Sequence, residues 1–261
     1  MSSDAMDAWR QLQPMARTFA AAIFVTSIGA HVFGVIPYAW LYFDPSVAIF
    51  KIPPQIWRFV SNFLLSGPQL SIVFDPYFVY QYLSQVEAGN PKFQRKEDVL
   101  WYLITVGGTI LFLAHNVLGS ASYCLPALIL AICYTATQDQ RGMKAGFFFF
   151  TVPAQLMPYC LLFMSLLMSP GLLPLQLCGL VAAHLHDFLY RLWPEFGGGR
   201  NWLETPAFVS RLITTPRLLQ RDYGTGFRPQ TQTSGSSTGA STGSGPLPDS
   251  WKTRGAGHRL G

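Results

Sequence analysis

"GLVAAHLHDFLYRLWP", residues 179–194, is the stretch on which the reading of this chain turns. It closes an apolar run, yet it groups two imidazoles and a carboxylate, His184, His186 and Asp187, where that run gives way to polar sequence. Such groups are costly in the interior of a bilayer and tolerated at its edge. Helical spacing puts His184 and Asp187 on one face and His186 elsewhere. Upstream, Gly179-x-x-x-Ala183 is a small-xxx-small pattern that lets a helix approach a neighbour closely. The segment therefore reads as the polar end of a tightly packed apolar helix. Its histidine could be a catalytic base, a metal ligand, a proton relay or a packing contact. His31 and His115, in other apolar runs, have no ligand pattern around them. No metal and no cofactor is expected.

The surrounding composition agrees with a membrane setting. Half of the 261 residues are hydrophobic and only 12% are charged, against about 25% in soluble domains. All four cysteines (Cys124, Cys133, Cys160, Cys178) fall in apolar runs and are expected to be small buried hydrophobes, not a disulfide framework or a metal site. A bilayer span needs about 20 mostly apolar residues, and six candidates follow: roughly 15–36, 69–87, 99–118, 121–138, within 147–169, and 171–193. The predicted fold is thus an all-α membrane bundle of six transmembrane helices. Its parts are an N-terminal segment 1–14, a membrane domain 15–193 with a long loop at about 37–67, a short foot 194–217 and a tail 218–261. The polar N-terminus carries no cleavable leader, so the first span is read as an uncleaved anchor.

Basic residues set the orientation. Arg10, Arg17, Lys92, Arg95, Lys96, Arg141, Lys144 and nine more from Arg191 onward fall on one side, whereas only Lys51 and Arg58 fall on the other. Sixteen of the eighteen Lys and Arg residues thus place both termini in the cytosol. Several spans look broken. Asp75-Pro76 lies in the second, Pro126 in the fourth, and Pro153, Gln155 and Pro158 in the fifth. Proline removes a backbone donor, and carbonyls freed that way need neighbouring helices or water. In the long loop, Trp57 beside Arg58 suits an interfacial segment, with the arginine reaching headgroups.

Ordered motifs then give a family. "IWR" (56–58), "YFVYQYLSQVEAG" (77–89), "YTATQDQRGM" (134–143), the opening stretch, and "GGRNWLETPAFVSRL" (198–212) together resemble the derlins, rhomboid-fold proteins of the endoplasmic reticulum membrane. The resemblance runs from about 15 to 217, and the GGRN–TP block is its most specific part. It implies a lateral gate between the second and fifth spans, which Asp75 and Gln155 would help to wet. In the foot, Thr205 is a fitting N-cap and Pro206 a fitting first helical residue. Phe208, Val209, Leu212 and Ile213 follow as one apolar face, with Arg211 and Arg217 beside it, as in a surface-lying amphipathic helix.

Active rhomboid proteases carry G-x-S-G at the start of the fourth span and A-H-x-x-G-x-x-x-G in the sixth. Here Ala183-His184 is present, but Asp187 and Arg191 stand in place of both glycines. Before the fourth span, Gly119-Ser120-Ala121-Ser122 offers serines without that motif. The expectation is a pseudoprotease in which His184 is a bundle contact and His186, Asp187 and Arg191 approach the cytosolic end. The alternative is an active intramembrane serine protease using Ser120 or Ser122 with His184. A solute transporter is the third class, and no inverted repeat supports it.

The tail carries "YGTGFRP" (223–229) and "RGAGHRLG" (254–261) around a Ser/Thr/Gly linker that cannot bury a core. Both repeat G-x-G-[FH]-R and resemble the SHP box through which derlins bind the AAA ATPase valosin-containing protein. The residues concerned are Gly224, Gly226, Phe227 and Arg228, then Gly255, Gly257, Arg259 and Leu260. The first copy lacks the usual leucine and the second lacks the usual aromatic; two tethered copies gain from effective concentration. The resemblance also implies misfolded substrates and a membrane ubiquitin ligase complex as partners, leaves self-association open, and implies no nucleic acid.

Overall fold

The computed structural model describes residues 12–44, 55–89, 93, 95–119, 123–140, 142–147, 150–196, 203–207 and 209. The chain divides into two units, Met1–Thr214 and Thr215–Gly261, and every described residue belongs to the first. Both tail motifs lie outside the described residues.

Proline starts helices here more often than it breaks them. Pro14 opens α1 (Pro14–His31), and Pro126, Pro158 and Pro174 sit in the first turns of α6 (Leu125–Thr137), α7 (Met157–Met168) and α8 (Leu173–Asp187). A first-turn N–H has no helical partner to lose, so proline costs nothing there. The kinks expected at Pro126 and Pro158 are therefore absent, because both helices begin later than hydropathy alone suggests. Pro76 is the exception, standing inside α4 (Ser71–Gly89). Among the described residues of the long loop, two short helices, α2 (Tyr38–Leu41) and α3 (Arg58–Ser61), precede α4. α5 (Lys96–Leu113) continues through a π-helical turn to Leu118 and stops at Gly119 with a φ of 61°. α8 likewise continues through a π-helical turn, Phe188–Leu192, into α9 (Trp193–Phe196).

One element was not foreseen. The beginning of the expected fifth span is an antiparallel hairpin, β1 (Lys144–Phe147) paired with β2 (Phe150–Pro153), with Lys144 opposite Pro153. A run of aromatic and β-branched residues reads as apolar on any hydropathy scale, and it also favours strand. A 3-10 turn, Ala154–Leu156, joins the hairpin to α7.

α6 is the hub. Nearly every residue from Leu125 to Thr137 is buried, as expected of a helix apolar all round. It packs on α4, α5, α7 and α8, while α1 packs on α4 and α5 packs on α8. Within the core the Tyr102 hydroxyl lies 2.8 Å from that of Thr135, tying α5 to α6. Cys124, Cys133 and Cys178 are buried free thiols.

The outer surface is apolar. Phe112, Phe163, Leu167 and Val181 are each more than half exposed. Two helical runs, Lys96–Leu118 and Pro170–Phe196, are long and apolar enough to cross a bilayer, and Leu125–Thr137 and Ala154–Met168 are shorter apolar helices. A surface of this kind is stable against lipid rather than water.

The tightest contact joins α8 to the hub. A Cβ built on Gly179 would overlap the carbonyl oxygen of Ala127 and lie 2.7 Å from its carbonyl carbon. The obstacle is backbone, which cannot rotate aside. Replacing Gly179 with valine is expected to cost about 1–3 kcal/mol through overpacking, measured as a fall in thermal unfolding temperature in detergent.

Candidate functional site

Polar groups concentrate at the two ends of the bundle, and each end builds a different structure. The first end carries the long loop. Arg58 is buried there. Its Nε donates to Gln55 Oε1 and its terminal nitrogen to the Tyr42 carbonyl, both at 2.6 Å. The arginine expected to reach outward to headgroups instead clamps the loop from within. Its neighbour Trp57 is the outward-facing member of the pair, at 52% exposed.

Ser66 is the centre of that end. Its N–H donates to Ser27 Oγ at 3.0 Å, and its carbonyl accepts from His31 Nε2 at 2.8 Å. With Nε2 protonated, a neutral His31 accepts at Nδ1 from the Tyr38 hydroxyl, 2.9 Å away. The Ser66 hydroxyl lies 2.6 Å from both the Ser71 carbonyl and Asp75 Oδ2. The loop is thereby fastened to α1 and α4 through one residue. Nothing in the local sequence marks Ser66, since its partners come from segments up to 39 residues away.

At the other end, residues of three further motifs meet, those around Glu87, Gln138 and Asp187. Glu87 of "SQVEAG" accepts from the N–H groups of Met15 and Ala16 at 3.1 Å, capping α1, whose own N-cap side chain makes no such bond. Gln138 of "TATQDQ" donates to Asp187 Oδ2 at 2.8 Å, and Gln140 donates to Gln85 Oε1 at 3.1 Å. Arg191 lies 3.3 Å from Asp139. Thr205 donates to Asp98 Oδ1 at 2.6 Å, so its hydroxyl fastens the foot to the start of α5. Val209 of the foot is buried. Of the expected foot face, Phe208, Leu212 and Ile213 lie outside the described residues, as do Arg211 and Arg217.

His184 makes the expected contact within the bundle, on Tyr134, but His186 is the more deeply buried of the two. His186 is buried, its ring edge-on to Tyr102 at 4.9 Å and stacked on Tyr190 at 5.7 Å. His184 is exposed and meets the Tyr134 ring at 4.2 Å. The helical face that includes Gly179 and Ala183 is the one that enters the core, and both are buried, but His184 turns off that face. Tyr134 stands nine residues beyond Leu125, about 14 Å along the helix axis. His184 therefore sits toward the C-terminal end of α6. Ser120 and Ser122 lie outside the described residues.

Between α4 and α7 the bundle opens, since each helix packs on α6 rather than extensively on the other. Two cavities occupy the opening. The loop-end cavity, about 480 Å³, is walled by apolar residues together with Asp75, Ser165, Ser169 and Gln176. The Gln176 Oε1 atom is buried without a hydrogen-bond partner. The hairpin-end cavity, about 650 Å³, includes Gln81, Gln85 and Lys144 in its lining. Asp75 and Gln155 do not come together. Asp75 belongs to the loop end, whereas Gln155 is exposed beside the Gln138 carbonyl at the hairpin end.

The Der1-like family model matches residues 12–207, the whole of the described bundle. The chain belongs to the Der1-like family. Among curated relatives of that family, Derlin-1 of Mus musculus is 29% identical over 221 residues, covering 82% of this chain and 85% of the relative. Derlin-1 of Homo sapiens is 28% identical over the same shares. Derlin-2.1 of Zea mays is 26% identical over 230 residues, covering 83% of this chain and 90% of the relative. The charged residues near the end of α8 have a physical role in this Der1-like chain. Asp187 and Arg191 pair with Gln138 and Asp139, contacts that a glycine could not make.

Asp187→Gly is expected to destabilise the bundle by about 1–3 kcal/mol, through loss of a hydrogen bond to a charged group. Arg191→Ala, at an exposed ion pair, should change it by less than about 1 kcal/mol. Thermal melts of the purified variants give the comparison.

Proposed function

We propose that this Der1-like chain is a rhomboid-type pseudoprotease of endoplasmic-reticulum-associated degradation. It recognises misfolded proteins in or across that membrane and assists their return to the cytosol. The six principal helices are its spans, with the loop end in the lumen and both termini in the cytosol, as the basic residues require. The observation that carries this reading is the cleft between α4 and α7. Its loop-end cavity offers hydroxyl and amide groups within an otherwise apolar wall. A correctly folded membrane helix has satisfied its polar groups against its partners, whereas a misfolded one exposes them to lipid at a cost. Asp75, Ser165, Ser169 and the unpartnered Gln176 carbonyl offer such a segment the bonds it lacks, so selectivity for misfolding follows from solvation.

Proteolysis is disfavoured by motif: Gly119-Ser120-Ala121-Ser122 is not G-x-S-G, and Asp187 and Arg191 stand where A-H-x-x-G-x-x-x-G has its glycines. A serine nucleophile needs a base held toward it within hydrogen-bond reach, and His184 packs on the Tyr134 ring. Substituting Ser120 and Ser122 together with alanine should leave substrate turnover unchanged. Loss of a cleavage product in that variant would restore the protease alternative.

Force for extraction comes from the tail in this reading, through the AAA ATPase valosin-containing protein, with a membrane ubiquitin ligase complex marking the substrate. Replacing the glycines of both motifs (Gly224, Gly226, Gly255, Gly257) with alanine should abolish co-purification of the ATPase and slow substrate decay in a translation-shutoff chase. Each single-motif variant should retain part of the binding, because tethered sites act together. Full binding by the fourfold variant would sink the coupling.

A further inference from the structure

The hairpin-end cavity has a chemistry of its own. Along α4, the rings of Phe74, Phe78 and Tyr82 form a ladder, with centroids 6.3 and 6.2 Å apart and planes inclined by 27° and 15°. This ladder makes one long, flat, apolar wall. The rim is polar and rich in donors. Gln140 donates to Gln85 Oε1, which occupies the acceptor of Gln85 and leaves its amide N–H groups for another partner. Gln81 adds an exposed amide, Tyr77 a phenol, and Lys144 of β1 an ammonium. Among the described residues that line this cavity, Lys144 carries the one charge and no carboxylate is present. A zwitterionic choline head would find no acid to balance its cation.

We infer that this cavity binds the phosphodiester head of an anionic phospholipid, with an acyl chain lying along the Phe74–Phe78–Tyr82 wall. Lys144 pairs with the phosphate, and Gln81, Gln85 and Tyr77 donate to its oxygens. The inference rests on the bilayer-spanning reading, in which the hairpin end lies at the cytosolic leaflet.

The test uses the purified full chain in detergent, mixed with equal amounts of phosphatidylglycerol and phosphatidylcholine of identical chains. Retained lipid is read by native mass spectrometry. Preferential retention of phosphatidylglycerol is expected. Lys144→Gln should weaken it about fivefold, the effect of one cation at a membrane surface. Gln81→Leu should weaken it without altering charge, while Lys96→Gln, which lines neither cavity, should leave it unchanged. Equal retention of the two lipids, or full preference in Lys144→Gln, would overturn the inference. So would displacement of the lipid by inorganic phosphate at comparable concentration, which would make the site one for a soluble anion. No substrate and no ATPase takes part, so failure here leaves the degradation reading standing, and failure of that reading leaves this result intact.

Discussion

Where α8 crosses α6, the two backbones touch. Gly179 lies against the carbonyl group of Ala127 with no room for a side chain between them. Dispersion falls away steeply with distance, so a crossing this close gains packing along the whole length of both helices. It also sets where everything else on α8 points. Ala182, Ala183 and His186 enter the core and His184 leaves it. Further along, Asp187 and Arg191 come opposite Gln138 and Asp139. The polar end that looks catalytic in the sequence is a lock between two helices whose register the glycine has already determined.

The same logic separates the ends of the bundle. The loop end is held by bonds to one backbone segment around Ser66 and by the buried Arg58, so a long connection behaves as packed structure. The other end is held by side chains from four helices and the foot, with Glu87 supplying the cap that the start of α1 lacks. Between them α4 and α7 remain apart, each held by α6. A cleft that both ends frame but neither fills is the consequence. It presents hydroxyl and amide groups at one end and a lysine over an aromatic wall at the other.

Much of this was legible from residues in order. Hydropathy located the helices to within a few residues, and the ordered motifs identified the family, because apolar periodicity and short motifs are local properties. The exceptions have local causes too. In sequence, Pro126 and Pro158 look like breaks within spans, yet each begins a helix, and the stretch before α7 looks like helix, yet its aromatic and β-branched residues form a hairpin. Position along the chain does not say where a helix starts, and a single proline fits either role.

The sequence by itself determined the family, the membrane character of the molecule and the approximate positions of its apolar segments. Each of these follows from composition and near-neighbour spacing. Only the tertiary structure decided which histidine is buried, that Arg58 points inward, that Asp75 joins Ser66 while Gln155 lies at the opposite end, and that the stretches around Glu87, Gln138 and Asp187 converge on one end. Those facts depend on helix rotation and on partners distant in the chain. Helix rotation here is settled by a steric contact between Gly179 and a backbone carbonyl on another helix, which no periodicity within a single segment encodes.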